Sequence, residues 1–211
     1  MRRRQVLILC LILSLLAALP AAARTKGKVY RAGVFRLSLP ASWSRMPPDM
    51  LQEWKSTMVR SGRELAEASQ TADPKEISEK SIPFLSGFQR ASKGQRILLV
   101  LSGMTSGQRL NRDEMLKTNQ ERVQWGIKTG RLKPSSRGVS KLTIDGVPCL
   151  LQDVETKLGG RMKMYSFFLP QRPKMAYGLV LVSEDKAAFD RHAKEIQAIV
   201  KSIKVARQKR R

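Results

Sequence analysis

The sequence is short of acids, thiols and histidine. Asp and Glu number 17 against 40 Lys and Arg, with two cysteines, one histidine and 6% aromatics in 211 residues. Each shortage excludes something. Cys10 lies in an apolar leader, so Cys149 is the single thiol of the remaining chain and has no internal disulfide partner. The fold therefore relies on an apolar core, which a chain of this length can build. The few aromatics are not interleaved with basic residues, which excludes a stacking platform for single-stranded nucleic acid. Beyond residue 23 no apolar run approaches the roughly 20 residues that cross a bilayer.

What is present begins with an address. Arg2, Arg3 and Arg4 precede an apolar run from Val6 to Leu19 and the small residues Ala21-Ala22-Ala23. A basic head, a short apolar centre and an A-x-A site predict an export signal over residues 1–23, cleaved after Ala23. The alternative is an uncleaved membrane anchor. Three cations and no acid leave with the signal, which lowers the formal charge from +23 to +20. Residues 24–205 then read as one domain, periplasmic or secreted, and residues 206–211 as a basic tail.

The pattern along the chain predicts an α+β domain. Val34–Leu39 alternates and stops at Pro40, as a strand does. Pro47-Pro48-Asp49 opens a helix with Asp49 as its cap, and Leu51, Trp54, Met58 and Leu65 form its apolar stripe. Gln70–Ser81 is polar and reads as a mobile loop. Strands are expected at Pro83–Ala91 and at Arg96–Ser102, the latter apolar on both faces. A second helix runs from Asn111 to Thr129, with Met115, Leu116, Val123 and Ile127 on one side. Asp145-Gly146 and Gly159-Gly160 suit tight hairpin turns and join three further strands. Tyr177–Val182 closes the sheet. A last helix, capped by Ser183, buries Phe189, Ala193, Ile196, Val200 and Ile203. The expected product is an antiparallel sheet covered by helices on both faces, an α/β/α sandwich.

Three pieces, "FRLSLPASWSRMP", "TIDGVPCLLQDVETKLGGRMKMYSFFLP" and "YGLVLVSEDKAAFDRHAKEIQAIVKSIKV", together resemble the PsbP-like α/β/α superfamily. That group holds lumenal photosystem assembly proteins, a small Ran-binding factor and many exported bacterial proteins. The resemblance is one of layout across residues 29–205, and it implies a non-catalytic binding or assembly module. The metal-binding histidines of PsbP proteins have no counterpart, since His192 stands alone.

The residues themselves offer little chemistry. Cys149 shares a hairpin face with Leu142, Ile144, Val147 and Leu151, and reads as an inert buried thiol. His192 sits one turn from Phe189 and Ile196, with no nucleophile for it to activate. Asp153 and Glu155 share a strand face, and with Lys157 they read as a charged sheet edge. The glycines of LSGMTSGQR lack the Lys-Ser/Thr ending of a phosphate-binding loop. Met162 and Met164 read as core filler. No catalytic, cofactor or metal residue is expected; the alternative is an enzyme or ligand carrier whose site is scattered through the sequence.

Charge remains. Acid-free segments run over Arg24–Met46, Lys128–Leu142, Lys157–Met175 and Lys201–Arg211. They point either to a solvated surface or to an anionic partner: an envelope polymer, a lipid headgroup or an acidic protein, and not cytosolic nucleic acid. The candidate anion-binding residues are Lys204, Arg207, Lys209, Arg210 and Arg211. The address is directly testable: N-terminal sequencing of envelope or medium protein should read from Arg24, whereas an intact Met1 in the cytosol would contradict export.

Overall fold

The computed structural model describes residues 27–69, 74–92, 94–105 and 109–206. The signal segment 1–23, its cleavage site, Leu65's side chain and the cations Arg207, Lys209, Arg210 and Arg211 lie outside the described residues.

Among the described residues, two antiparallel sheets and four helices make an α+β fold. A seven-stranded sheet runs β3 (Ser44–Arg45), β4 (Phe84–Ser92), β5 (Gln95–Thr105), β9 (Met175–Ser183), β8 (Arg161–Phe168), β7 (Val147–Glu155), β6 (Gly138–Ile144). A three-stranded sheet sets β2 (Phe35–Leu39) between β1 (Lys28–Ala32) and β10 (Lys204–Val205). The helices are α1 (Pro48–Ser69), α2 (Arg112–Lys128), α3 (Lys186–Arg191) and α4 (Ala193–Ser202).

The front face of the large sheet carries the core. Register aligns Phe84, Gly103, Tyr177, Phe167, Cys149 and Leu142 across six strands, with Leu101, Leu179 and Tyr165 in the next row. These pack with Phe35, Leu37 and Leu39 of β2 and with Phe189, Ile196, Ile199 and Ile203 of α3–α4. Phe35 stands at the centre, its ring 5.1 Å from Phe167 and 6.4 Å from both Phe84 and Tyr177, all edge-on. On the back face α1 meets β4 closely. A Cβ on Gly87 would crowd the Met46 sulfur and Leu51 Cδ1, so those side chains would have to shift to admit one. Further along, Lys141 of β6 reaches Asp113 of α2 at 2.6 Å. Met162, Met164, Val180 and Val182 of the middle strands are half-buried there, a looser setting for the methionines than a core.

Several local expectations are corrected. The first helix begins at Pro48, and Asp49 falls in its first turn, because proline's fixed φ suits the first helical position. Residues 74–81 of the expected loop form two 3-10 turns, Pro74–Glu76 and Glu79–Ser81, and residues 70–73 lie outside the described residues. Ser183 ends β9 and donates to the Arg96 carbonyl; Asp185 is the cap, accepting from the Ala187 N–H at 2.8 Å. The final helix is two, parted at His192 (φ −98°, ψ 12°), and Ala193 is exposed. Asp145-Gly146 makes the expected tight turn, with φ of 52° and 71°. Gly159-Gly160 does not. There β7 stops at Glu155 and Thr156–Gly160 form a five-residue loop, closed by the Thr156 N–H on the Gly160 carbonyl at 2.9 Å. Gly159, at φ 93°, supplies its left-handed residue.

Cys149 is fully buried, opposite Leu142 on one side and Phe167 on the other. Burial pushes its thiol up to about 12, so it stays protonated at neutral pH. A neutral maleimide should label it only after unfolding, and Cys149→Ala should fold; rapid labelling of native protein would contradict the burial.

Candidate functional site

The densest chemistry lies on the front face where β7 and β8 run side by side. Their register pairs Asp153 with Lys163 and Glu155 with Arg161. Because side chains on one face repeat every second residue, all four point toward α3. Arg161 is buried and grips Asp153 with two donors, Nε at 3.2 Å and Nη2 at 3.1 Å. Its Nη1 donates to Asp190 of α3, and its guanidinium lies 5.6 Å from the centre of the Phe189 ring. Lys186 completes the set, 2.6 Å from Asp190 and 3.8 Å from Glu155, while Lys163 stands 3.6 Å from Asp153. Three cations thus meet three carboxylates, and the group is neutral as a whole.

That neutrality decides what the cluster can do. A general base needs a free carboxylate of raised pKa beside a substrate pocket. Here the environment works the other way. The hydrogen bond from Lys186, and after it the Arg161 charge, hold Asp190 below its ordinary 3.8. The bonds to Asp153 raise Arg161 further, so it remains charged. Tyr165, a neighbour on β8, is pushed up to about 12 by burial first and the Asp153 charge second. The arrangement fastens α3 to the sheet and favours the charged forms of Asp190, Arg161 and Lys186. The expectation that Asp153 and Glu155 form a charged sheet edge is therefore corrected: β7 is an interior strand, and Asp153 is buried.

A second polar tie went unseen in the sequence. Glu195 of α4 accepts from Trp43 Nε1 at 2.6 Å and from Arg90 Nε at 3.0 Å, locking α4 to the β3–β4 side. His192, half-buried at the α3–α4 junction, is lowered by burial and then by the Arg90 charge. Among the described residues no group of three His, Cys, Asp or Glu could hold a metal ion.

Beside the ion cluster, α3–α4 and β6–β8 enclose a cleft of about 430 Å³. Leu142, Leu151 and Tyr165 form part of its lining, and Lys163, Lys194 and Lys201 stand among its polar groups.

Of the candidate anion-binding residues, Lys204 alone is among the described residues. Lys204 lies on β10 and is paired with Asp145 Oδ1 at 2.9 Å, while Asp145 Oδ2 accepts from the Val205 N–H at 3.0 Å. It is thus already neutralised at the β6–β7 turn. Of the described segments, Lys157–Met175 turns Arg161 and Lys163 inward to carboxylates, so part of its charge is internal.

No family model matches the chain, and no curated protein matches it. Among solved structures it is similar to the crystal structure of LpqN, described as involved in cell envelope biogenesis of Mycobacterium tuberculosis, with a TM-score of 0.48, 10% identity and 88% of each chain covered. At that level the similarity transfers no residue and no role.

Two outcomes follow from the cluster. Asp153→Ala leaves a buried guanidinium short of its main partner and should cost about 3–5 kcal/mol in urea unfolding, whereas Asp153→Leu combined with Arg161→Met should recover most of it. Asp190 titrates lower folded than unfolded, so its stabilisation is present above about pH 3.8 and lost as pH falls through the depressed value. Asp190→Asn should therefore flatten the acid limb of the stability profile; an unchanged limb would count against the pairing.

Proposed function

We propose that the chain is an exported, non-catalytic binding or assembly module of PsbP-like α/β/α layout. Its basic surface would contact an anionic envelope component, whether polymer or lipid headgroup, or an acidic partner protein. The observation that carries this reading is where the acids go. Asp153, Glu155, Asp190 and Glu195 are taken up by interior or half-buried pairs, and Asp145 by Lys204. Each of these acids is matched by a cation, so the formal charge of +23 stays with the remaining side chains. A field of that sign raises the local concentration of anions and speeds encounter with them.

A ligand carrier is the alternative, and the 430 Å³ cleft beside α3–α4 is the feature on its side. An enzyme has less support, because the titratable groups nearest that cleft are paired or held protonated.

Attraction between exposed charges is screened over about 10 Å at 0.1 M salt, so binding should fade as salt rises. The protein should be retained on anionic liposomes and heparin at low salt and released at high salt. The Ala206 N–H donates to the Val34 carbonyl at 2.8 Å, so a truncation that spares the fold must keep Ala206. Removing residues 207–211 deletes four cations and should bring elution to lower salt with little change in Tm. Intact protein that ignores both matrices at low salt would overturn the proposal.

A further inference from the structure

At the end of the sheet away from the ion cluster, the β8–β9 turn and the segment entering α2 meet. The Leu110 N–H donates to the Pro173 carbonyl at 2.8 Å and joins the two. Between them lies a pocket of about 290 Å³. Its walls carry Arg109 and Arg112 from the α2 side and Arg172 from the turn, with Phe168, Pro170 and Met175 among its apolar lining. Three guanidiniums around one small pocket repel one another, and the usual remedy is a carboxylate among them. None is in the lining. Among the described residues, no carboxylate lies within 4.0 Å of Arg109, Arg112 or Arg172. The acid next in sequence, Asp113, is hydrogen-bonded by Lys141 at 2.6 Å and feels the Arg112 charge only as a lesser influence. What sets these three apart from the other arginines without an acidic partner is that they line one pocket, drawn from two chain segments.

We propose that this pocket binds a phosphate group. A guanidinium presents parallel donors that match two oxygens of a phosphate or carboxylate. One arginine serves a carboxylate; three, drawn from two chain segments, suit a group with more oxygens and more charge. The turn also fixes one of them, since Arg172 Nη1 donates to the Tyr177 hydroxyl at 3.2 Å, leaving its other nitrogens for a ligand. The volume admits a phosphate and a few attached carbons, and the apolar lining suits those carbons; an acyl chain would have to remain outside. The inference rests on the reading of the basic surface as an anion-contacting one, and it narrows that reading to one place and one chemistry. The phosphate comes either from a lipid headgroup or from a soluble ester.

The test uses the full chain, two probes and three variants. Inorganic phosphate is titrated while amide resonances are followed by NMR, and binding is measured to vesicles of phosphatidylglycerol in phosphatidylcholine and of phosphatidylcholine alone. Arg109→Glu and Arg112→Gln remove pocket cations. Lys157→Glu makes the same charge change as Arg109→Glu at the opposite end of β8, where the side chain is exposed. Shifts confined to residues around Arg109, Arg112 and Arg172 are expected, and both pocket variants should weaken phosphate binding by about tenfold or more. Loss of binding to the anionic vesicles in Arg109→Glu but not in Lys157→Glu identifies a headgroup. Phosphate binding without vesicle binding supports the pocket with a soluble ester and goes against a lipid partner. Equal weakening by Arg109→Glu and Lys157→Glu overturns the pocket and leaves diffuse surface attraction standing. No response of the intact chain to either probe overturns both.

Discussion

Burial of the front sheet face beneath Phe35 is the constraint from which the other features follow. Six strands present aromatic or branched side chains to that face, and none can stay in water at tolerable cost. The cover is assembled from distant pieces: a hairpin near the start of the chain, two short helices near its end, and a two-residue strand that joins the hairpin's edge. Phe35 touches strands β4, β8 and β9 through their rings, so it sets the spacing between the layers. Replacing such a ring by alanine costs on the order of 3–5 kcal/mol, a large share of a domain's stability.

The polar interior is arranged around that packing. Arg161 and Glu195 each join a helix to a strand, and together they hold α3 and α4 at two points along the sheet. Both ties consist of charges that are costly to bury alone and tolerable when paired. Each tie matches carboxylates with cations one for one, so the molecule's excess of positive charge stays with the side chains outside them.

What the sequence discloses follows the range of each signal. Strands β5 and β9 were legible because unbroken apolar runs are local, and the Asp145-Gly146 turn because its chemistry is fixed by two residues. Helix caps slipped by one or two residues, at Asp49 and Ser183, where several polar residues compete for the position. The ion cluster was hidden by a single parity. A two-residue turn at Gly159-Gly160 would set Glu155 opposite Met164, whereas the five-residue loop sets it opposite Arg161. An odd change of register turns a strand over, so the short-turn reading placed Arg161 and Lys163 on the wrong face. Of the small sheet, the central strand was legible as Val34–Leu39, but its pairing with β10 was not, because a two-residue strand has no periodicity to read. Nor was the arginine pocket, where Arg172 joins Arg109 and Arg112 from sixty or more positions away.

The small sheet also bears on how the molecule comes to be folded. The Ser38 N–H donates to Ser202 Oγ at 2.9 Å across 164 residues of chain, and β10 lies just beyond. Contacts of such separation carry a loop-closure cost that is met late, and they slow the search. A ribosome delivers Phe35 first and Val205 last. Until the last strand arrives, β2 has one open edge and the aromatic face lacks the helices that complete its cover. For that interval the chain is a half-closed sheet with exposed rings, the state that binds chaperones or sticks to its own copies before it can lock.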